Sequence, residues 1–334
     1  VSGTISSNTT WSLANSPYVV TGNILIASGV TLTIEAGVTV KVNSDLYIKV
    51  EGTLTAVGTS SAYITFESSA ATQAKSDWDG IRIRSSGGST IDGSQNYSSG
   101  TQLKYVKIKH ADYGLHIYDA GFHISYSEIT TNHNGIKLSK TDDVVIDNCT
   151  FTGNSLGIMS DYNASGDEGG AIEDTYIKNS TFDGNTNAID LFMNQSDFKN
   201  LNINDNLIKN NTVGIDFGGG GYGPRVHSVY IKDNIIYNNS SYGAKLNRVY
   251  GSGTGTTLDY PVEFTRNLVI DNGGPLAFEY SPSVKFKVHQ NILKTSSANG
   301  IESIGSPSSS NHLFTKNTII SNGKSIYLGG SSSY

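Results

Sequence analysis

A phrase of ten or eleven residues returns along the second half of this chain and restricts the fold more than any other feature. It begins with a small polar residue and has an apolar residue two positions later. Asn usually follows five positions after the start, and then a small residue and an apolar one. Its copies are SEITTNHNGI, CTFTGNSLGI, STFDGNTNAI, NLIKNNTVGI, NIIYNNSSYGA, NLVIDNGGPLA, NILKTSSANGI and NTIISNGKSI. Their first residues are Ser127, Cys149, Ser180, Asn206, Asn234, Asn267, Asn291 and Asn317. Within each copy the apolar spacing is mostly two and Gly or Asn interrupts it, which excludes helices. Repeats of this kind stack equivalent positions about 4.8 Å apart, the spacing of paired strands. The apolar positions then line a continuous core, and Asn columns at the corners can bond coil to coil. Asn also tolerates the left-handed backbone of a sharp corner. The expectation is an all-β chain forming a single-stranded, right-handed parallel β-helix.

The coils run from 22 residues (Ser127 to Cys149) to 33 residues (Asn234 to Asn267), so loops of unequal length leave one scaffold. The N-terminal third fits the same scheme more loosely. Residues 30–42 alternate with period two around Gly37, and Leu46–Leu54, Tyr63–Phe66 and Ile81–Arg84 read as further strands. Residues 1–20, with Trp11, read as an N-terminal cap, and 85–101 as a Ser/Gly-rich loop. No linker divides the chain, so residues 1–334 are expected to be one solenoid domain.

The formal net charge of −6 argues against nucleic acid as a partner, since phosphate binding needs clustered Lys and Arg. No apolar run is long enough for a transmembrane segment. The single cysteine rules out an internal disulfide but leaves secretion open. Cys149 occupies a position where other copies carry Ser or Asn, so it reads as a small buried residue and not as a reactive thiol.

The stretch WSLANSPYVVTGNILIASGVTLTIEAGVTVKV resembles the opening of many bacterial and archaeal cell-surface β-helix proteins. The Asn-apolar-x-x-Asn-x-x-Gly-Ile phrase resembles the repeat shared by pectate-lyase-like enzymes, alginate epimerases and disaggregatase-type surface proteins. Together these cover most of the chain. The resemblance implies a secreted or cell-surface protein that holds an extended polysaccharide along its side. The chain departs from the enzymes in having neither an Asp-Pro-His-Asp string nor an Arg-rich strand.

Longer segments cluster on the middle coils, at 160–174, 192–200, 217–228 and 246–260, and would wall a groove. Just after the Gly-Ile position stand Lys137, Met159, Asp190, Asp216, Lys245, Phe278 and Glu302, on the face opposite the buried Ile residues. Asp190 and Asp216 would then sit one strand spacing apart, close enough to share a proton or a cation. Calcium takes several oxygen ligands, which Asp161 and Glu168 could complete. Lys245 and Arg248 are candidates to remove a proton next to a sugar carboxylate. Tyr222, Arg225, His227 and Lys137 are candidates to hold the sugar. That set suits a calcium-assisted polysaccharide lyase better than a glycoside hydrolase, because nothing separates an acid from a nucleophile. Stacked carboxylates are equally what an ordinary solvated face presents.

Other tempting residues have plainer readings. FGGGGYG at 217–223 lacks the Lys-Ser/Thr of a phosphate loop. His110, His116, His123 and His133 show no zinc spacing, and Trp78 reads as packing beneath the 85–101 segment. Two function classes therefore stand. One is a polysaccharide-binding protein, with or without cleavage. The alternative is a non-catalytic structural or adhesive surface protein that self-associates or mediates cell contact.

Overall fold

The computed structural model describes residues 1–161, 170–193, 197–219, 225–247, 250–251, 262–279, 285–296, 299–304 and 313–328. They fall into two compact units, Val1–Met159 and Ser160–Tyr334. In each unit the chain winds through three parallel sheets in turn, one strand per sheet per coil. A coil of the first unit runs through Asn134–Ser139, Val144–Asp147 and Thr150–Thr152. Its counterpart in the second unit runs through Val213–Gly219, Val229–Lys232 and Ile235–Tyr237. Each strand pairs with one a full coil away: Leu115 with Ile136 and Ile129 with Phe151 in the first unit, Ile215 with Ala244 and Ile236 with Val269 in the second. This is the expected parallel β-helix.

The period of two does the sorting. In Tyr47–Val50 and Thr39–Val42 alternate side chains are buried, and the buried ones fall on one another in successive coils. Ile48, Ile81, Leu115 and Ile136 make one such inward column, each under 2% exposed. Among the described residues the only helices are single 3-10 turns at Leu13–Asn15 and Ser85–Gly87, and none is long and apolar enough to cross a membrane.

The Asn columns are ladders. In the second unit Asn206, Asn234, Asn267 and Asn291 are buried, and each Nδ2 donates to the Oδ1 of the next, at 2.9 to 3.1 Å, ending on Asn317. The same Nδ2 groups also donate to core carbonyls such as Ile177 O and Ile203 O. A second ladder joins Asn185, Asn211, Asn239 and Asn272. The expectation that these Asn residues also supply the left-handed corner is corrected. That conformation belongs to the residue just before each one, at Asp205, Asp233, Arg266 and Gln290 (φ 55 to 59°). The corner turns first, and the turn aims the next side chain inward, where the amide can reach its neighbours.

The glycine of the Gly-Ile pair has a different cause. A Cβ on Gly214 would stand 2.4 Å from the carbonyl oxygen of Gly243, and one on Gly135 would stand 2.3 Å from that of Gly157. Adjacent coils approach too closely there for any side chain.

Two N-terminal segments take more definite form than the sequence suggested. Residues 1–20 are themselves a coil, with strands Gly3–Ile5, Thr9–Trp11 and Tyr18–Val20, and Trp11 stacks on Tyr18 at 4.9 Å. The 85–101 loop holds an antiparallel hairpin of Ser89–Ile91 with Tyr97–Gly100. Its turn is held by Asp92, whose Oδ1 accepts the amides of Ser94 and Asn96 at 2.9 Å.

Cys149 is buried, and burial pushes its thiol up to about 12, so it is an inert packing residue. Trp78 is fully buried and its Nε1 donates to Lys109 O, which leaves no face for a sugar. The four histidines scatter, with His110 at a corner and His116 buried against Ser139. None of them belongs to a metal-ligand cluster among the described residues.

Candidate functional site

The first sheet of the C-terminal unit holds the candidate site. Its strands Asn187–Met193, Val213–Gly219 and Tyr242–Asn247 put Ile189, Ile215 and Ala244 inward, so the next residue of each faces out. Asp190 pairs in register with Asp216, and Asp216 with Lys245, as the repeat predicts. Lys245 Nζ stands 3.5 Å from Asp216 Oδ2, with both side chains largely covered. Asp190 Oδ2 accepts from Asn187 Nδ2 at 2.8 Å.

Burial is the main reason that the Asp190 carboxyl is raised to about 6, and the neighbouring Asp216 charge adds to it. The Asn187 bond and Lys245 pull the other way without cancelling the shift. The result is a carboxyl that gives up its proton close to neutrality, beside a carboxylate that already has a cationic partner.

Continuing along the column, Lys245 pairs with Ala277, and Ala277 with Glu302. The expectation of Phe278 at this level is corrected by one residue. Leu276 fills the core slot opposite Ala244, so Ala277 falls on the outer side of the strand, where it is covered, and Phe278 turns inward onto Phe286, ring centroids 4.9 Å apart. The sequence reading had put the smaller Ala in the core slot that Leu fills.

Two flanking residues escaped the sequence reading. Asn187 and Tyr242 stand three positions before Asp190 and Lys245, in one register column with Val213 between them. Lys245 Nζ lies 5.9 Å from the Tyr242 ring centroid, and the phenol hydroxyl reaches Glu302 Oε2 at 3.5 Å. Glu302 is held in turn by Asn299 Nδ2 at 3.0 Å. Their signal is the small residue that precedes the core position (Ala188, Gly214, Gly243), which lets the strand bring out a second polar column.

The other expected site residues fall elsewhere. Arg225 belongs to the second sheet, where it pairs with Asp197, and His227 just beyond that strand has its Nε2 3.5 Å from Asp197 Oδ2. Lys137 pairs with His116 in the N-terminal unit and lies 5.4 Å from the Tyr113 ring centroid. Tyr222, Glu168 and Arg248 lie outside the described residues. Among the described residues Asp161 does not join Asp190 and Asp216 in a group of three donors within 4.8 Å of one another. Asp190 and Asp216 supply two carboxylates among the described residues, one paired with Lys245, where calcium takes several oxygen ligands.

These strands and registers define a right-handed parallel β-helix with a polar strip on one sheet. The family model described as "Right handed beta helix region" matches residues 56–229, and the chain belongs to that family. No curated protein matches. Among solved structures the chain is similar to the A-module of Azotobacter vinelandii mannuronan C-5 epimerase AlgE4, at 15% identity and a TM-score of 0.55, covering 100% of this chain and 91% of that one. It is also similar to the A-module of AlgE6 from the same organism, at 11% identity and a TM-score of 0.46, covering 97% and 88%. The AlgE4 likeness shows the fold.

Proposed function

We propose that this protein is an extracellular or cell-surface β-helix that binds an acidic polysaccharide. On this reading the outer face of the C-terminal unit's first sheet removes the C5 proton of a uronate. The observation that carries it is Asp190, raised to about 6, next to the Asp216–Lys245 pair. A carboxyl ionising near neutrality suits proton transfer at working pH. Lys245, held by Asp216, is a charge to set against the sugar carboxylate, which must be neutralised before its α-proton becomes acidic. In this arrangement Asp190 takes the proton and Lys245 compensates charge, a division the sequence alone did not suggest. Tyr242 flanks the strip, and Arg248 and Tyr222 remain candidates for the same polymer.

Loss of the C5 proton leaves an electron pair with two outcomes. Reprotonation on the opposite face gives the epimer. Expulsion of the 4-oxygen forms the C4–C5 double bond and cleaves the chain, the lyase outcome. The activity for which AlgE4 is named, C-5 epimerisation of mannuronan, supports the first step common to both.

The test is incubation with polymannuronate, polygalacturonate and a neutral glucan in deuterated water, with and without calcium. We expect deuterium at C5 of one polyuronate, and ultraviolet absorbance as well if elimination follows. Lys245→Met and Asp190→Asn should each slow exchange by about 10²-fold or more. Absence of exchange and of new absorbance with every polymer would sink the enzymatic reading.

A second reading, adhesion or self-association, has its own observation. On the third sheet of the same unit Ile235, Leu268 and Ile292 stack facing outward, with Ile235 44% and Ile292 47% exposed. A stacked apolar column at a surface is the kind of patch that another protein covers.

A further inference from the structure

Three successive coils of the N-terminal unit bring a tyrosine to the same corner. Tyr105 stands between Gln102–Lys104 and Val106–Lys109, and Tyr126 stands between Phe122–Ser125 and Glu128–Thr130. Tyr63 directly precedes Ile64–Ser68, whose Ile64 amide donates to Tyr105 O. Tyr105 and Tyr126 stack with centroids 5.2 Å apart and planes 25° apart, and Tyr63 meets Tyr105 edge-on at 5.8 Å.

The backbone makes this arrangement unusual. Tyr105 and Tyr126 both adopt the left-handed conformation, at φ 51° and 52°. Asn148, Asn179, Asp205 and Asp233 hold the same corner in later coils, and Arg266, Gln290 and Lys316 hold it in the last ones. Among the described residues at this corner only Tyr105 and Tyr126 place an aromatic ring at this left-handed φ, which is uncommon for any residue but glycine. The rings are also not hidden. Tyr126 is 41% exposed, and the next coil offers only the short Asn148 beside it.

Cations frame the rings. Lys104 Nζ lies 5.5 Å from the Tyr105 centroid and 5.3 Å from that of Tyr126, and Lys107 Nζ lies 4.7 Å from that of Tyr63. Lys107 is paired with Glu128 at 3.0 Å, so Lys104 is the cation placed to meet a ligand charge. Tyr105 covers one face of Tyr126 and leaves the other, on the side of Asn148, to accept the C–H face of a pyranose.

We propose that the Tyr63–Tyr105–Tyr126 corner of the N-terminal unit is a carbohydrate-binding site of its own, taking pyranose rings of an anionic polysaccharide with Lys104 facing a sugar carboxylate. The proposal rests on the reading above only for the class of polymer. It does not depend on any chemistry at Asp190.

The experiment is affinity electrophoresis of the full chain in gels containing polymannuronate, polygalacturonate or a neutral β-glucan, with thermal melts in parallel. The variant is Tyr105→Asn/Tyr126→Asn, which installs the residue other coils use at this corner. We expect a polyuronate to retard the parent chain, and the double variant to bind at least about threefold more weakly with an unchanged or higher Tm. Lys104→Met should weaken binding to the polyuronate as well. Equal retardation of parent and double variant overturns the proposal. So does retardation of the parent by the neutral glucan alone, by no polymer at all, or a double variant whose Tm falls by several degrees. Lys245→Met separates the two ideas: if it loses C5 exchange but keeps its retardation, corner binding and chemistry at the Asp190–Asp216–Lys245 strip stand apart. If exchange persists in the double variant with its retardation unchanged, the corner fails and the proposed function stands.

Discussion

The two units build the first sheet from the same inward residues and set opposite chemistry on its outer side. In the N-terminal unit the outward column is Lys49, Arg82, His116 and Lys137, interleaved with rings. Arg82 lies 4.2 Å from the Tyr47 centroid, and Tyr113 lies 5.8 Å from His116. In the C-terminal unit the equivalent column is Asp190, Asp216, Lys245, Ala277 and Glu302. Inward, both units carry aliphatic residues that are essentially inaccessible. Burial and coil stacking therefore dictate one side of a strand and leave the other open to charge of either sign. A β-helix can change partners without changing fold.

The strongest way to break this contrast is to cut the inward side of both units. Ile136→Ala and Ile215→Ala should each cost about 2–5 kcal/mol by denaturant melts, since both residues are fully buried. A large disparity between them would mean that the units do not share one packing rule. Next comes the ladder. Asn234→Ala strips buried amide groups from Asn206, Asn267 and two backbone carbonyls, and should cost about 1–3 kcal/mol.

A pH series sharpens the contrast on the outward side. Asp190 is raised above its unfolded value, so the folded chain holds the extra proton between pH 4 and 6 and loses that stabilisation as pH rises through about 6. Asp190→Asn lacks the titration, and its stability relative to the parent should rise by up to ~2 kcal/mol from pH 4 to pH 7. A flat difference would mean that the carboxyl is not buried as described. The smallest effect is expected at Lys137→Ala, within about 0.5 kcal/mol of the parent in the same melts. Its consequence should instead be weaker, more salt-sensitive retention on a polyuronate matrix.

The solenoid was readable in the sequence because ladder Asn and core Ile recur at fixed offsets, and only stacking explains such offsets. The Asp190–Asp216–Lys245 register followed from the same count. The count failed at Phe278, where two apolar candidates competed for one core slot and the larger Leu276 took it. The N-terminal coils were fainter because other groups do the work of Asn there. Thr101 Oγ1 accepts the Leu54 amide at 3.1 Å, and Ser127 Oγ accepts that of Val106. Tyr242 and Asn187 went unseen because they face outward, where no periodic constraint repeats a residue type. The raised Asp190 carboxyl was equally invisible, since it comes from burial by neighbours distant in sequence.

The close approach of coils at Gly135 and Gly214 has a consequence for protein engineering. Between the ladder Asn and the core residue that follows, the spacing differs by only one residue, four positions from Asn211 to Ile215 and five from Asn239 to Ala244. That side of each turn therefore has little room for added sequence. Between first and second sheets the spacing is already elastic: Ser139 to Val144 is short, and Asn247 to Val262 much longer. Foreign peptides for display belong at that seam, where each turn can be lengthened without asking its neighbours to move.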